Sequence, residues 1–141
     1  MPTFRCQAEI AAPRDTLFAL TQDYALRPRW DPLHEDVRLL DDGRVWYQAK
    51  NGLTMTVRYV SHEAPERVAM TMVDGPWIFR RFSGSWIFEA LDASRTRLTF
   101  AYHVELRWPL SLADGPMIRR LERNMALRLA GLKAYAEGTR P

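Results

Sequence analysis

Residues Thr3–Ile10 alternate strictly, with Phe4, Cys6, Ala8 and Ile10 on one side and Thr3, Arg5, Gln7 and Glu9 on the other. A period of two over eight residues predicts a half-buried strand. Ala11-Ala12-Pro13 ends it, and Pro13 followed by Asp15 predicts a short helix whose inner face carries Leu17, Leu20 and Thr21 beside Phe18. A second short helical or irregular segment is expected over 23–30, interrupted at Pro28. Six more strands follow, at 35–40, 44–50, 53–61, 67–73, 77–90 and 95–107. Turn residues separate them: Asp41-Asp42-Gly43, Asn51-Gly52, 63–66 around Pro65, Asp74-Gly75-Pro76 and Asp92-Ala93-Ser94. Connections this short imply an antiparallel meander. The last two strands are long, and Ser83-Gly84-Ser85 supplies small residues where a bulge or bend is expected. Over 116–137 the period changes. Ile118, Leu121, Met125, Leu129, Leu132 and Ala136 recur every three or four residues, opposite Arg119, Arg120, Arg123, Lys133 and Glu137. This predicts a closing helix roughly 30 Å long.

Alternation also assigns an inward set. It comprises Met55, Val57 and Tyr59; Val68, Met70 and Met72; Trp86 and Phe88; Leu98, Phe100, Tyr102, Val104 and Leu106; and Met117, Leu121 and Met125 from the helix. Methionine and aromatic side chains dominate it, and such surfaces adapt to varied apolar ligands. Arg80 shares its phase with Phe82, Gly84 and Trp86 and is expected to point inward, unless a bulge turns it, in which case Arg81 points in or both arginines face solvent.

At 141 residues, 47% hydrophobic and 26% charged, the chain has the composition of one globular domain spanning 1–141 rather than of a disordered segment. A net charge of +3 without a basic tail gives no reason to expect nucleic acid. The single cysteine, Cys6, allows no internal disulfide. The polar residues Arg5, Gln7, Glu9, Arg14 and Asp15 break any secretory apolar run, and no stretch is apolar enough for a transmembrane segment, so a cytoplasmic location is expected.

The order of elements, with "IAAPRDTLFALTQDYALRPRWDP" (10–32), "GSWIFEALDASRTRLTFAYHVEL" (84–106) and the terminal amphipathic helix, resembles the START-like superfamily over nearly the whole chain, and within it the polyketide cyclase/dehydrase and lipid-transport group. The resemblance implies an α+β helix-grip fold: a curved antiparallel sheet, in the order strand–helix–helix–six strands–helix, wrapped around a long C-terminal helix. It also implies an internal cavity for a hydrophobic, aromatic or polyketide- or lipid-like small molecule. "VRYVSHEAPERV" (57–68) and "GPW" (75–77) are similar to bacterial aromatase/cyclases, but those enzymes carry an arginine where this chain has Glu63, and the loss of that cation weighs against cyclase chemistry.

The ligand-binding residues expected on this reading are Trp30, at the cavity mouth, with Met55, Tyr59, Met70, Met72, Arg80, Trp86, Phe88, Phe100, Tyr102, Met117, Leu121 and Met125. His34, Arg80 and Tyr102 are the candidates for catalysis. The histidines stand singly on separate elements, so no metal site is expected. No phosphate loop, Cys-x-x-Cys or Ser-His-Asp order occurs, and no cofactor is expected. Three functions stay open: a carrier or binding domain, a polyketide aromatase/cyclase or dehydratase working in the same cavity, and a protein-interaction module like the START-like chaperone regulators. Oligomeric state is not legible.

Overall fold

The computed structural model describes residues 3–138. Its elements in chain order are β1 (Thr3–Ile10), α1 (Arg14–Gln22), α2 (Arg27–Trp30), β2 (His34–Leu39), β3 (Val45–Ala49), β4 (Thr54–Glu63), β5 (Arg67–Asp74), β6 (Phe79–Asp92), β7 (Arg95–Leu106) and α3 (Gly115–Gly138). A 3-10 turn over Leu110–Ala113 leads into α3. The seven strands form one curved antiparallel sheet in the order β1-β7-β6-β5-β4-β3-β2, and α3 runs across it in the helix-grip arrangement. Consecutive strands pair, and β1 closes the far edge beside β7, so Cys6 faces Phe100 and Ala8 faces Leu98.

The turn chemistry has its expected geometry where it matters most. Gly43 and Gly52 hold φ of 85° and 90°, a region that a side chain at Cβ disfavours. On β7 the expected inward residues Leu98, Phe100, Tyr102, Val104 and Leu106 are all buried, and Thr99 and Ala101 on the opposite phase are buried as well.

Two local expectations need correction. The first is the bend in β6. Pairing with β7 runs unbroken from Arg81 to Ala90, through Ser83–Ser85, and the register shifts fall instead between Phe79 and Arg81 and between Ala90 and Asp92. Gly84 is paired opposite Tyr102, where a Cβ would lie 3.4 Å from the tyrosine ring in ordinary contact, and the strand does not bend at this glycine. The second is Pro28. It does not interrupt a helix but stands in the first turn of α2, where its missing N–H leaves no bond unmade.

α3 is used in two parts. Its C-terminal half packs on β1 and α2. Lys133 Nζ donates to the Glu9 carbonyl at 2.7 Å, and Glu137 Oε2 accepts from the Ala11 amide at 2.9 Å. Gly131 lies against α2 so closely that a Cβ would sit 2.3 Å from the Trp30 carbonyl oxygen. Its N-terminal half, from Met117 to Arg128, roofs a space left open over β3 to β7.

Candidate ligand-binding site

That space is a cavity of about 400 Å³. Its walls are mostly apolar. Of the residues expected to line it, Met55, Met70, Trp86, Phe100, Tyr102, Met117 and Leu121 do so. Trp86 and Phe100 stack face to face at 3.8 Å and form the floor, because they are paired neighbours on β6 and β7 with the same inward phase.

The other expected residues stand elsewhere. Arg80 is 60% exposed in its side chain and pairs with Glu105 at 3.1 Å, with Arg81 on the same carboxylate at 3.9 Å. The β-bulge between Phe79 and Arg81 puts both arginines outside while Phe79 and Phe82 stay in. Trp30 is 3% exposed and meets Trp86 edge-on, so it backs the floor and does not border the mouth. Exposed Asn51, Leu53, Thr54 and Arg120 line the open end instead. Phe88 packs against Phe18 of α1. The Tyr59 hydroxyl donates to Gln22 Oε1 at 3.0 Å and meets the Tyr24 hydroxyl, which closes the space beneath α1. Met72 stands at the sheet end beside Gly75, and Met125 is sealed in the core at 1% exposure.

The inner end of the cavity is polar. Asp31, fully buried, accepts from Arg128 Nε at 2.8 Å through Oδ2 and from the Leu33 amide at 3.1 Å through Oδ1. His34 Nδ1 lies 3.3 Å from the same Oδ2, without hydrogen-bond geometry. Arg128 lies over Phe100, 4.8 Å from the ring centre, and its Nη1 donates to the Tyr102 hydroxyl. Arg27, 1% exposed, lines the same region. Its Nη2 donates to the Thr21 carbonyl at 2.6 Å, and its guanidinium lies over the rings of Trp30, Tyr24 and Tyr47.

Sequence reading selected His34 and Tyr102 but missed Asp31, Arg27 and Arg128 as members of this cluster. Arg128 had a legible signal. It falls seven residues after Leu121 and three after Met125, so it stands on the buried stripe of α3 and not among the solvent-facing arginines. Asp31 and Arg27 had none, because a four-residue helix and its C-cap are too short to carry a readable phase.

These positions fix the charge states. Burial alone would raise the Asp31 carboxyl, but the Arg128 guanidinium, His34 and Arg27 beside it hold it below its ordinary range. Burial and then the Arg128 charge push His34 down to about 3, so its imidazole is neutral at pH 7. Burial opposes the Arg128 cation, but Asp31 and Tyr102 outweigh it and the group is raised further. Burial also raises Tyr102, which therefore remains a phenol. Since a guanidinium only donates, the Tyr102 oxygen accepts from Arg128, and the phenol proton is directed elsewhere.

The profile of the polyketide cyclase / dehydrase and lipid transport family matches residues 1–137. The chain belongs to this family. Solved structures of similar fold support the assignment at the level of architecture. One is a START superfamily protein from Mycobacterium smegmatis, at 18% identity and TM-score 0.83, covering 98% of this chain and 99% of that one. Another is the ZhuI aromatase/cyclase from Streptomyces sp. R1128, at 22% identity and TM-score 0.86, covering 96% and 93%. A third is the di-domain aromatase/cyclase BexL, at 23% identity and TM-score 0.83, where 97% of this chain spans 47% of that one. No curated protein sequence matches the chain. Among the described residues of this family member, no three His, Cys, Asp or Glu side chains gather as a metal site, and no helix is long and apolar enough to cross a membrane.

Proposed function

We propose that residues 1–141 act as one ligand-binding domain. It takes an apolar, oxygen-bearing small molecule of polyketide- or lipid-like character into the cavity, with the oxygen at the Tyr102–Arg128 end. The observation that carries this reading is the phenol of Tyr102 at the cavity wall, polarised by a cation that occupies its acceptor side. Such a phenol is a strengthened donor, and a carbonyl or similar oxygen is its natural acceptor. Apolar walls supply most of the binding, and one or two polar groups fix the orientation.

The second reading is a cyclase or dehydratase, favoured by the meeting of His34, Asp31, Tyr102 and Arg128 at one place. Arg128 and Tyr102 would stabilise an enolate oxygen there. What that chemistry also needs is a base near neutral pKa. His34 is held at about 3 and Asp31 is engaged by Arg128, so the free protein offers an oxyanion-binding corner without a matched base. Binding is therefore the reading the geometry supports best. A cavity of this size also favours it over a protein-interaction module, which has no use for the space.

Native mass spectrometry of the purified protein, looking for a co-purified small molecule, tests the reading together with a fluorescence titration. An aromatic ketone should quench tryptophan emission saturably, since Trp86 forms the floor. Filling the space with Met55→Trp and Met70→Trp together should abolish saturation in a folded protein. Saturable binding that survives those substitutions would place the site elsewhere.

A further inference from the structure

The buried charged residues, among those described, are Arg27, Asp31 and Arg128. Two are cations and one is an anion, so the interior carries one positive charge more than its carboxylate can match. Asp31 is committed to Arg128 at 2.8 Å. No ion pair is formed by Arg27 with any described carboxylate, although it is 1% exposed. A buried guanidinium ordinarily has a carboxylate or a complete set of acceptors, because leaving it short costs more than a buried neutral group does. Arg27 has one carbonyl, three aromatic faces and an Nε without a partner. Aromatic faces offset part of the cost, but they accept no conventional hydrogen bond at Nε.

The shortage is local. Among the described residues, the buried side-chain nitrogens without partners are Arg27 Nε, Trp30 Nε1 and His34 Nδ1, all within eight residues of chain. Arg27 and His34 both line the cavity. Elsewhere the interior is satisfied; Thr96, for example, donates to the Ala12 carbonyl and Thr21 to the Phe18 carbonyl. The unmet Arg27 Nε and an unmatched positive charge thus coincide at the polar end of an apolar cavity.

We infer that the cavity is built for an anionic ligand, an apolar body ending in one carboxylate-type oxyanion, and that Arg27 is the residue that binds it. This rests on the ligand-binding reading above and narrows the class of ligand. The planar guanidinium suits a planar oxyanion, and stacking on Trp30 and Tyr47 holds the fork in place before the ligand arrives. Arg128 cannot serve in the same way, because Asp31 already neutralises it.

The test compares 2-naphthoate with 2-naphthalenemethanol, which share a ring and differ in charge, by titration calorimetry against the full chain. The wild type should bind the carboxylate about tenfold or more tighter than the alcohol. In Arg27→Met the preference should vanish while alcohol affinity stays within about threefold; Arg27→Gln serves the same purpose where the methionine variant does not fold. Arg27→Lys should keep a preference, and Arg123→Gln, on the exposed face of α3 away from the cavity, should leave it unchanged. Equal wild-type affinity for both compounds overturns the anion site and leaves the ligand-binding reading standing. Failure of the wild type to bind either compound overturns both. A preference that persists without the Arg27 cation overturns the role given to Arg27.

Discussion

Replacing Gly131 by alanine should destabilise the protein, although alanine is the better helix former. Alanine is favoured over glycine by about 1 kcal/mol in a helix interior, and an exposed position would show that gain. At Gly131 the new methyl carbon would lie 2.3 Å from the Trp30 carbonyl oxygen and 3.1 Å from Pro32 Cδ. The oxygen is backbone and cannot rotate away, so α2 must move from α3 by about 1 Å to reach normal contact. Overpacking of this kind costs about 1–3 kcal/mol, and after the propensity gain of about 1 kcal/mol a net loss of up to about 2 kcal/mol should remain. The movement also has a functional consequence. Arg128 lies three residues before Gly131 on the same helix face, and Asp31 directly follows Trp30, so the contact that would be broken is the one that holds Asp31 at Arg128. Urea melts of Gly131→Ala and of Gly115→Ala provide the comparison, because a Cβ at Gly115 meets nothing within 4 Å. The control should stay within about 0.5 kcal/mol of wild type. A Gly131→Ala protein as stable as wild type, or more so, would refute the claim that close approach of α2 fixes the cluster.

Asp31→Asn should cost about 3–5 kcal/mol in a urea melt, because it strips the buried Arg128 of the carboxylate it pairs with; a loss below about 1 kcal/mol would mean that water reaches the pair. His34 should make the protein acid-labile before its carboxylates titrate. Its folded pKa of about 3 lies below its ordinary 6.5, so below pH 6.5 the unfolded chain takes up a proton that the folded chain refuses, and stability falls from there toward pH 3. His34→Phe should flatten that part of the stability profile, and an unchanged slope would refute it. Met125→Ala should cost about 2–5 kcal/mol, since Met125 is sealed at 1% exposure, while Leu121→Ala should cost less because Leu121 already borders open space. Equal losses in denaturant melts would contradict that division of α3.

The strands, their turns and the closing helix were legible in the chain because each depends on neighbours close in sequence. A period of two placed Leu98, Phe100 and Tyr102 on the inner face, and a period near 3.6 placed Leu121, Met125 and Leu129 on the inner stripe. The same periodicities located the apolar walls of the cavity. They failed at Arg80 because one extra residue between Phe79 and Arg81 reverses every phase argument on its side of the bulge, and composition at Ser83–Ser85 pointed to the wrong place for it.

The polar end of the cavity was decided by tertiary structure alone. Asp31 and Arg128 are 97 residues apart and Arg128 and Tyr102 are 26 apart. They meet only because Gly131 lets α2 rest against α3 while α3 crosses the strand that carries Tyr102. Nothing local to Arg27 foretold that it would be buried without a carboxylate. Charge states followed from that enclosure, since burial and neighbouring charge, not residue type, set the protonation of His34 and Asp31. Sequence periodicity determined which side chains face inward; the crossing of α2, α3 and β7 decided which of them meet, because contact across a fold depends on where whole elements are packed and not on the spacing within any one of them.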